Sequence, residues 1–136
     1  MVYQEELLLS PHNKGFYLIT DLVLQKAGKL PETGLMNLFI HHTSAGLTIN
    51  ENADPSVRKD LDKCFDHILP EGLSFLAHTL EGDDDMPAHV KSTIAGMSLT
   101  IPISKGRLKL GTWQGIYLCE FRNRGGSRKI TITVYS

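Results

Sequence analysis

Apolar residues recur along this chain at two different spacings, every second position in some stretches and every third or fourth in others. Each change of period marks an element. Val2 to Leu9 mixes β-favouring with acidic residues and stops at Ser10-Pro11, which predicts a strand at a sheet edge. Past the Asn13-Lys14-Gly15 turn, Phe16 to Ile19 reads as a short strand. Thr20 or Asp21 then caps a helix to about Lys29, with Leu22, Val23 and Ala27 at helical spacing, and Pro31 and Gly34 close the unit. Leu35 to His42 alternates, so Met36, Leu38, Ile40 and His42 share one strand face. His42 therefore extends an apolar row, while His41 points the other way.

Ala45 to Ile49 continues extended into the polar string Asn50 to Pro55. Asp54 stands where an N-cap belongs and Pro55 at the first helical position, predicting a helix from Ser56 to about His67. Its buried stripe is Val57, Leu61, Cys64 and Ile68; Arg58, Lys59, Asp60, Asp62 and Lys63 form a solvated face. Pro70-Glu71-Gly72 breaks the chain, and the stretch through Ala77 is strand or loop. A second proline-started helix runs from Pro87 to about Ala95 with Asp85 near its cap, which puts His89 in the first turn. From Met97 the period is two: Ser98–Ile103 and Leu108–Leu110 around a hairpin turn, then Gly115–Phe121 and Lys129–Tyr135 joined by the Arg122–Arg128 turn. Strands with two or three short helices give an α+β architecture of antiparallel sheets in one compact domain over residues 1–136.

Composition narrows the class. A 136-residue chain that is 41% hydrophobic and 21% charged is long enough for one real core. Its net charge of -1 offers no overall attraction to nucleic acid, and no set of several aromatics forms a stacking platform. No segment approaches the roughly 20 apolar residues that span a bilayer, so neither nucleic acid nor membrane is an expected partner. The two cysteines, Cys64 and Cys119, have no CxxC spacing and read as buried thiols in a reducing compartment. A cytoplasmic location is the expectation, since Glu5 and Glu6 interrupt the one early apolar run.

Chemistry is carried by histidines in polar strings: His42 before Thr43-Ser44, His78 before Thr79-Leu80-Glu81, and His89 after Pro87-Ala88. Three imidazoles with a nearby carboxylate can form an open site for a transition ion, though this spacing is no known zinc signature. Glu51 or Glu120 could complete or orient such a site. The acidic run Glu81, Asp83, Asp84 and Asp85 would suit magnesium, but helix capping and solvation explain it as well. Trp113, the lone tryptophan, sits among Gly111, Thr112, Gln114 and Gly115; packing at a core rim explains it more readily than a pocket wall or subunit interface.

Together these strings resemble the YjbQ family. The match runs through His42-Thr43-Ser44-Ala45, then Thr48 to Pro55, His78 with Glu81-Gly82, Ala88-His89 with Lys91, Gly111 to Ile116 and Cys119-Glu120. Many relatives carry an Asp-Gly-Pro-Arg-like turn before the last strand, where this chain has Asn123 to Arg128; Arg128 enters the strand at the matching place. The resemblance implies a homotrimer with a weak secondary thiamine-phosphate synthase activity, joining hydroxymethylpyrimidine diphosphate to thiazole phosphate with release of pyrophosphate. Tested against that chemistry on their own terms, His42, His78 and His89 are the expected metal ligands, and Glu120, Glu51 and His42 the expected catalytic groups. Arg128, Ser44, Asn52, Lys91 and Trp113 would contact a small phosphorylated metabolite. The divalent metal is expected to be zinc or another transition ion, with magnesium the choice for diphosphate chemistry. A metal-dependent hydrolase of a phosphorylated metabolite, or a non-catalytic phosphate-binding module, are the alternative functions.

Overall fold

A computed structural model describes all 136 residues. Two antiparallel sheets stack face to face, with one helix closing the side of the stack and two covering the outer face of the smaller sheet. The larger sheet begins with β1 (Val2–Leu9), paired over its whole length with the last strand, β8 (Arg128–Tyr135), from Val2 opposite Tyr135 to Leu9 opposite Arg128. On the far side of β8 lies β3 (Thr33–Ile40), followed by β5 (Ser98–Ser104) and the two-residue β6 (Arg107–Leu108) at the edge. The smaller sheet is β2 (Gly15–Leu18), β7 (Gln114–Glu120) and β4 (Ala45–Glu51), in that order.

The period-two reading accounts for the first core. Met36, Leu38 and Ile40 of β3, Ile130, Ile132 and Val134 of β8, and Ile101 and Ile103 of β5 all point at the smaller sheet. They meet Leu47, Ile116 and Leu118 there, and α1 (Thr20–Ala27) closes the side with Val23 and Ala27. β7 has no solvent face. Its alternate residues Tyr117 and Cys119 join Phe16, Phe121 and Ala88 in a second core beneath α2 (Pro55–Ile68) and α3 (Asp85–Ala95). Burial on both faces explains why Ile116 to Cys119 reads as a continuous apolar run rather than an alternating one.

Three sequence expectations need correction. The α2 stripe is centred on Leu61 and Phe65, because the Phe65 ring packs 5.6 Å from Phe16 and 5.4 Å from Phe121. Cys64, a hundred degrees round the helix from Phe65, is exposed, and so is Ile68. Trp113 packs in no core; it is 64% exposed. Finally, α3 starts at Asp85, with Pro87 within its first turn, where a missing N–H costs nothing. Asp85 is therefore a helical residue, one turn before His89 on the same face.

Gly46 sets how closely α3 approaches the small sheet. A Cβ there would stand 2.8 Å from the Gly96 carbonyl oxygen and 2.9 Å from the Ala95 methyl. The Leu47 amide uses that closeness to donate to the Gly96 carbonyl at 3.0 Å. The C-terminus of α3 is thereby tied to β4, and its N-terminus faces the loop that enters β4. No helix is long and apolar enough to cross a membrane.

Candidate metal centre

The first turn of α3, the segment before it and the loop between β3 and β4 converge on one carboxylate. Asp85 is 1% exposed. Its Oδ2 lies 2.7 Å from His78 Nε2 and 3.1 Å from His89 Nε2, and its Oδ1 accepts from Arg122 Nη1 at 2.7 Å. One ligand atom from each of His78, Asp85 and His89 falls within 4.8 Å of the other two. Burial pushes the Asp85 carboxyl up, but the His78 hydrogen bond and the His89 and Arg122 charges outweigh it and hold the group below 3.8. Asp85 is therefore a carboxylate at neutral pH.

Arg122 locks this carboxylate in place. Its Nε donates to Asp84 Oδ2 at 2.9 Å and its Nη2 to the Glu81 carbonyl at 3.0 Å, while the Asn123 amide also donates to Asp84. The acidic run is thus divided. Asp84 and Asp85 belong to the arginine, and Glu81 and Asp83 are exposed.

The third anchor is the backbone. His89 Nδ1 lies 2.8 Å from the Thr43 carbonyl oxygen, which can only accept, so Nδ1 carries a proton. In a neutral ring Nε2 then has a bare lone pair, and that lone pair faces the Asp85 carboxylate. Two electron-rich atoms at 3.1 Å repel unless a cation stands between them, either a second proton on the ring or a metal ion.

Two of the three expected histidines thus come together, with Asp85 in the place proposed for His42. His42 Nε2 instead accepts from the Lys129 amide at 2.8 Å, two residues past the end of β3. Partial burial and the nearby Arg128 charge lower its pKa below 6.5, which keeps that acceptor lone pair available.

Glu120 and Arg128 do not present free groups to a substrate. The Arg128 side chain, 5% exposed, donates from Nε to Glu120 Oε1 at 2.8 Å and from Nη2 to Glu120 Oε2 at 2.6 Å. Nη2 also reaches Ser44, 3.0 Å to its hydroxyl and 3.2 Å to its carbonyl. With the fork filled by a buried carboxylate, neither the phosphate contact expected of Arg128 nor the general base expected of Glu120 has a free group in this arrangement. Lys91 is engaged in the same way: its side chain is 3% exposed and donates to Asp66 Oδ1 at 2.7 Å. Asp66 in turn holds Lys14 at 2.6 Å.

Glu51, Asn52 and Trp113 lie at the opposite end of the small sheet. β4 pairs with β7 from Ala45 opposite Glu120 to Glu51 opposite Gln114. Six strand steps of about 3.3 Å separate the two ends by roughly 20 Å. Glu51 Oε2 accepts from the Asp54 amide at 3.0 Å, so it braces the α2 cap rather than the histidines. Asn52 Nδ2 donates to the Thr112 and Gln114 carbonyls at 3.2 and 3.1 Å and ties the two polar strings together. Arg58, expected in solvent, donates to the Tyr117 hydroxyl at 3.1 Å and the Asn52 carbonyl at 3.3 Å.

Sequence reasoning placed Asp85 only in an acidic run suited to magnesium, and paired it neither with His78 and His89 nor with Arg122. The Asp-x-x-x-His spacing of Asp85 and His89 was the available signal. It was hidden by starting the helix at Pro87 instead of two residues earlier.

Comparison with known proteins agrees with this architecture. A family model described as UPF0047 protein YjbQ-like matches residues 5–136. The YjbQ protein of Salmonella typhimurium is 50% identical over 136 residues, covering 98% of each chain. Among solved structures, a YbjQ-like protein of unknown function from Sulfolobus solfataricus superposes with a TM-score of 0.86 at 27% identity, covering 98% of this chain and 96% of that one. A conserved hypothetical protein from Thermus thermophilus gives 0.81 at 38% identity, covering 93% of this chain and 96% of that one. The whole-chain match in sequence and in fold shows that this chain belongs to the YjbQ (UPF0047) family.

Proposed function

We propose that the protein is a metal-dependent enzyme acting on a small molecule, with a divalent transition ion held by His78, Asp85 and His89. One observation carries the reading: His89 Nδ1 is held by the Thr43 carbonyl while its Nε2, with that of His78, faces the same Asp85 carboxylate oxygen. A divalent cation at that point uses all three groups as ligands. The ligand atoms already stand 2.7 and 3.1 Å apart. Zinc bonds of about 2.0–2.1 Å would set neighbouring ligand atoms roughly 3.4 Å apart, so the His78 and His89 contacts to Asp85 would open by about 0.7 and 0.3 Å. Two imidazoles favour zinc or a neighbouring transition ion over magnesium.

Such an ion supplies Lewis acidity, lowering the pKa of water to about 7 and polarising a carbonyl or phosphoryl oxygen. Three protein ligands leave a coordination position for water or substrate, and His78, with a side chain 49% exposed, lies on the solvent side. Asp85 is oriented by Arg122 and His89 by Thr43, as ligands of an active metal are. Hydrolysis ranks first among the reactions. Displacement of pyrophosphate, the synthase chemistry of the family resemblance, builds more charge on its leaving group, and a free arginine beside the metal would favour it. Arg122 and Arg128 are both engaged with carboxylates. A phosphorylated metabolite remains the first substrate class to screen, and a homotrimer the working assembly, tested by light scattering.

The test is metal analysis of the purified protein, followed by turnover of a panel of phosphorylated metabolites and simple esters. Turnover that is lost with a chelator, restored by zinc and absent in Asp85→Ala supports the enzyme. Tight ligand binding with no turnover across the panel by the zinc-loaded parent replaces it with a binding module.

A further inference from the structure

The buried Glu120–Arg128 pair borders the metal ligands without touching them, and it reaches both sides of the centre. On one side Arg128 Nη2 grips Ser44 by its hydroxyl and its carbonyl, at 3.0 and 3.2 Å. Ser44 is joined by a peptide bond to Thr43, whose carbonyl holds His89 Nδ1 at 2.8 Å. On the other side Glu120 Oε2 accepts from the Arg122 amide at 3.2 Å. The guanidinium of that same residue holds Asp85 Oδ1 at 2.7 Å. One ion pair thus fixes the loop that sets the His89 tautomer and the root of the side chain that orients Asp85.

The turn carries a second sign of this arrangement. Gly125 lies over the pair, and a Cβ there would sit 2.6 and 2.7 Å from the two Glu120 carboxylate oxygens and against Arg128 Nη2. Both partners are almost fully buried, Glu120 at 0% and Arg128 at 4% exposure, so neither can swing aside. A pair needed only to neutralise charge would tolerate lysine in place of arginine. Contact with Glu120 and Ser44 at once needs the planar fork.

We propose that Glu120 and Arg128 are positioning residues of the centre: through Ser44–Thr43 and through Arg122, they hold His89 and Asp85 in their ligating orientations. The proposal rests on the metal reading for its purpose, but not for its geometry. Removing partners that orient metal ligands typically weakens metal affinity by about 10–100-fold.

The experiment compares Arg128→Lys and Gly125→Ala with the parent. Long-range 15N–1H correlation of the histidine rings, followed to high pH until the ring shifts no longer change, reports the His89 tautomer. Competition with a chromophoric chelator gives the zinc affinity. Met36→Ala, which opens a cavity in the first core away from the centre, is the control for lost stability alone. The parent should show His89 with its proton on Nδ1. Both turn variants should show a mixture of tautomers and a zinc affinity roughly 10–100-fold weaker, and Met36→Ala should match the parent in both. A folded Arg128→Lys protein with parental tautomer and affinity overturns the proposal, as does Met36→Ala showing the same losses. If the parent binds no zinc, the metal reading fails by itself, and the tautomer comparison still decides whether the pair positions His89.

Discussion

Replacing the two partners of the Lys91–Asp66 pair should have unequal consequences. The Lys91 side chain is 3% exposed and its ammonium meets Asp66 at 2.7 Å, whereas the Asp66 side chain is 45% exposed and also meets Lys14 at 2.6 Å. Asp66→Ala strands a buried ammonium. Stranding a fully buried charge costs about 3–5 kcal/mol, and water reaching the half-exposed position of Asp66 reduces this to roughly 2 kcal/mol. Lys91→Met keeps the apolar stem in place and leaves Asp66 with Lys14 and solvent, so its cost should stay within about 1 kcal/mol. With a urea dependence of about 2 kcal/mol per molar, the midpoint should fall by roughly 1 M for Asp66→Ala and by less than about 0.5 M for Lys91→Met. The pH dependence has a definite sign. Burial pushes the Asp66 carboxyl up, but its lysine hydrogen bonds and their charges prevail and hold it below 3.8. The contribution is therefore complete above about pH 5 and disappears as pH falls through the folded-state value. Equal losses in the two variants, or a gap between parent and Asp66→Ala that widens below pH 3.8, would refute the reasoning.

His42 should give a second pH signature. Burial and Arg128 depress its pKa below 6.5, so its contribution is present above that value and lost as pH falls through the folded-state one. The difference in melting temperature between parent and His42→Ala should shrink from pH 7 to about pH 5, and a constant difference would remove the Lys129 contact as its source. The cysteines should separate kinetically: exposed Cys64 should react at once with a thiol reagent, while Cys119, whose thiol burial pushes up to about 12, should react only on unfolding. A single fast equivalent by mass spectrometry is the expected result.

What the sequence revealed follows from where side chains face. β3 and β8 are half-buried, so alternation in Met36-Leu38-Ile40 and Ile130-Ile132-Val134 displayed both strand and core face. Histidines in polar strings pointed to the site because no core asks for them there. What stayed hidden was the pairing of charges across the fold. Arg122, Arg128 and Lys91 look alike in sequence, yet each ends on a carboxylate from another element or strand: Asp85, Glu120 and Asp66. Only the folded topology decides whether a basic group is free for a ligand. The pairing of Asp85 with His89 was obscured by a helix boundary placed two residues too late, which made Asp85 a cap rather than a residue one turn before His89.

Whether His78, Asp85 and His89 bind a metal is decided by calorimetric titration of chelator-stripped protein with zinc. The parent should bind one zinc per chain, with binding abolished or severely weakened in His78→Ala, Asp85→Ala and His89→Ala and retained in His42→Ala, whose Nε2 faces the Lys129 amide. A parent that binds no zinc, or a site lost in His42→Ala and kept in His89→Ala, would contradict metal binding by these three residues.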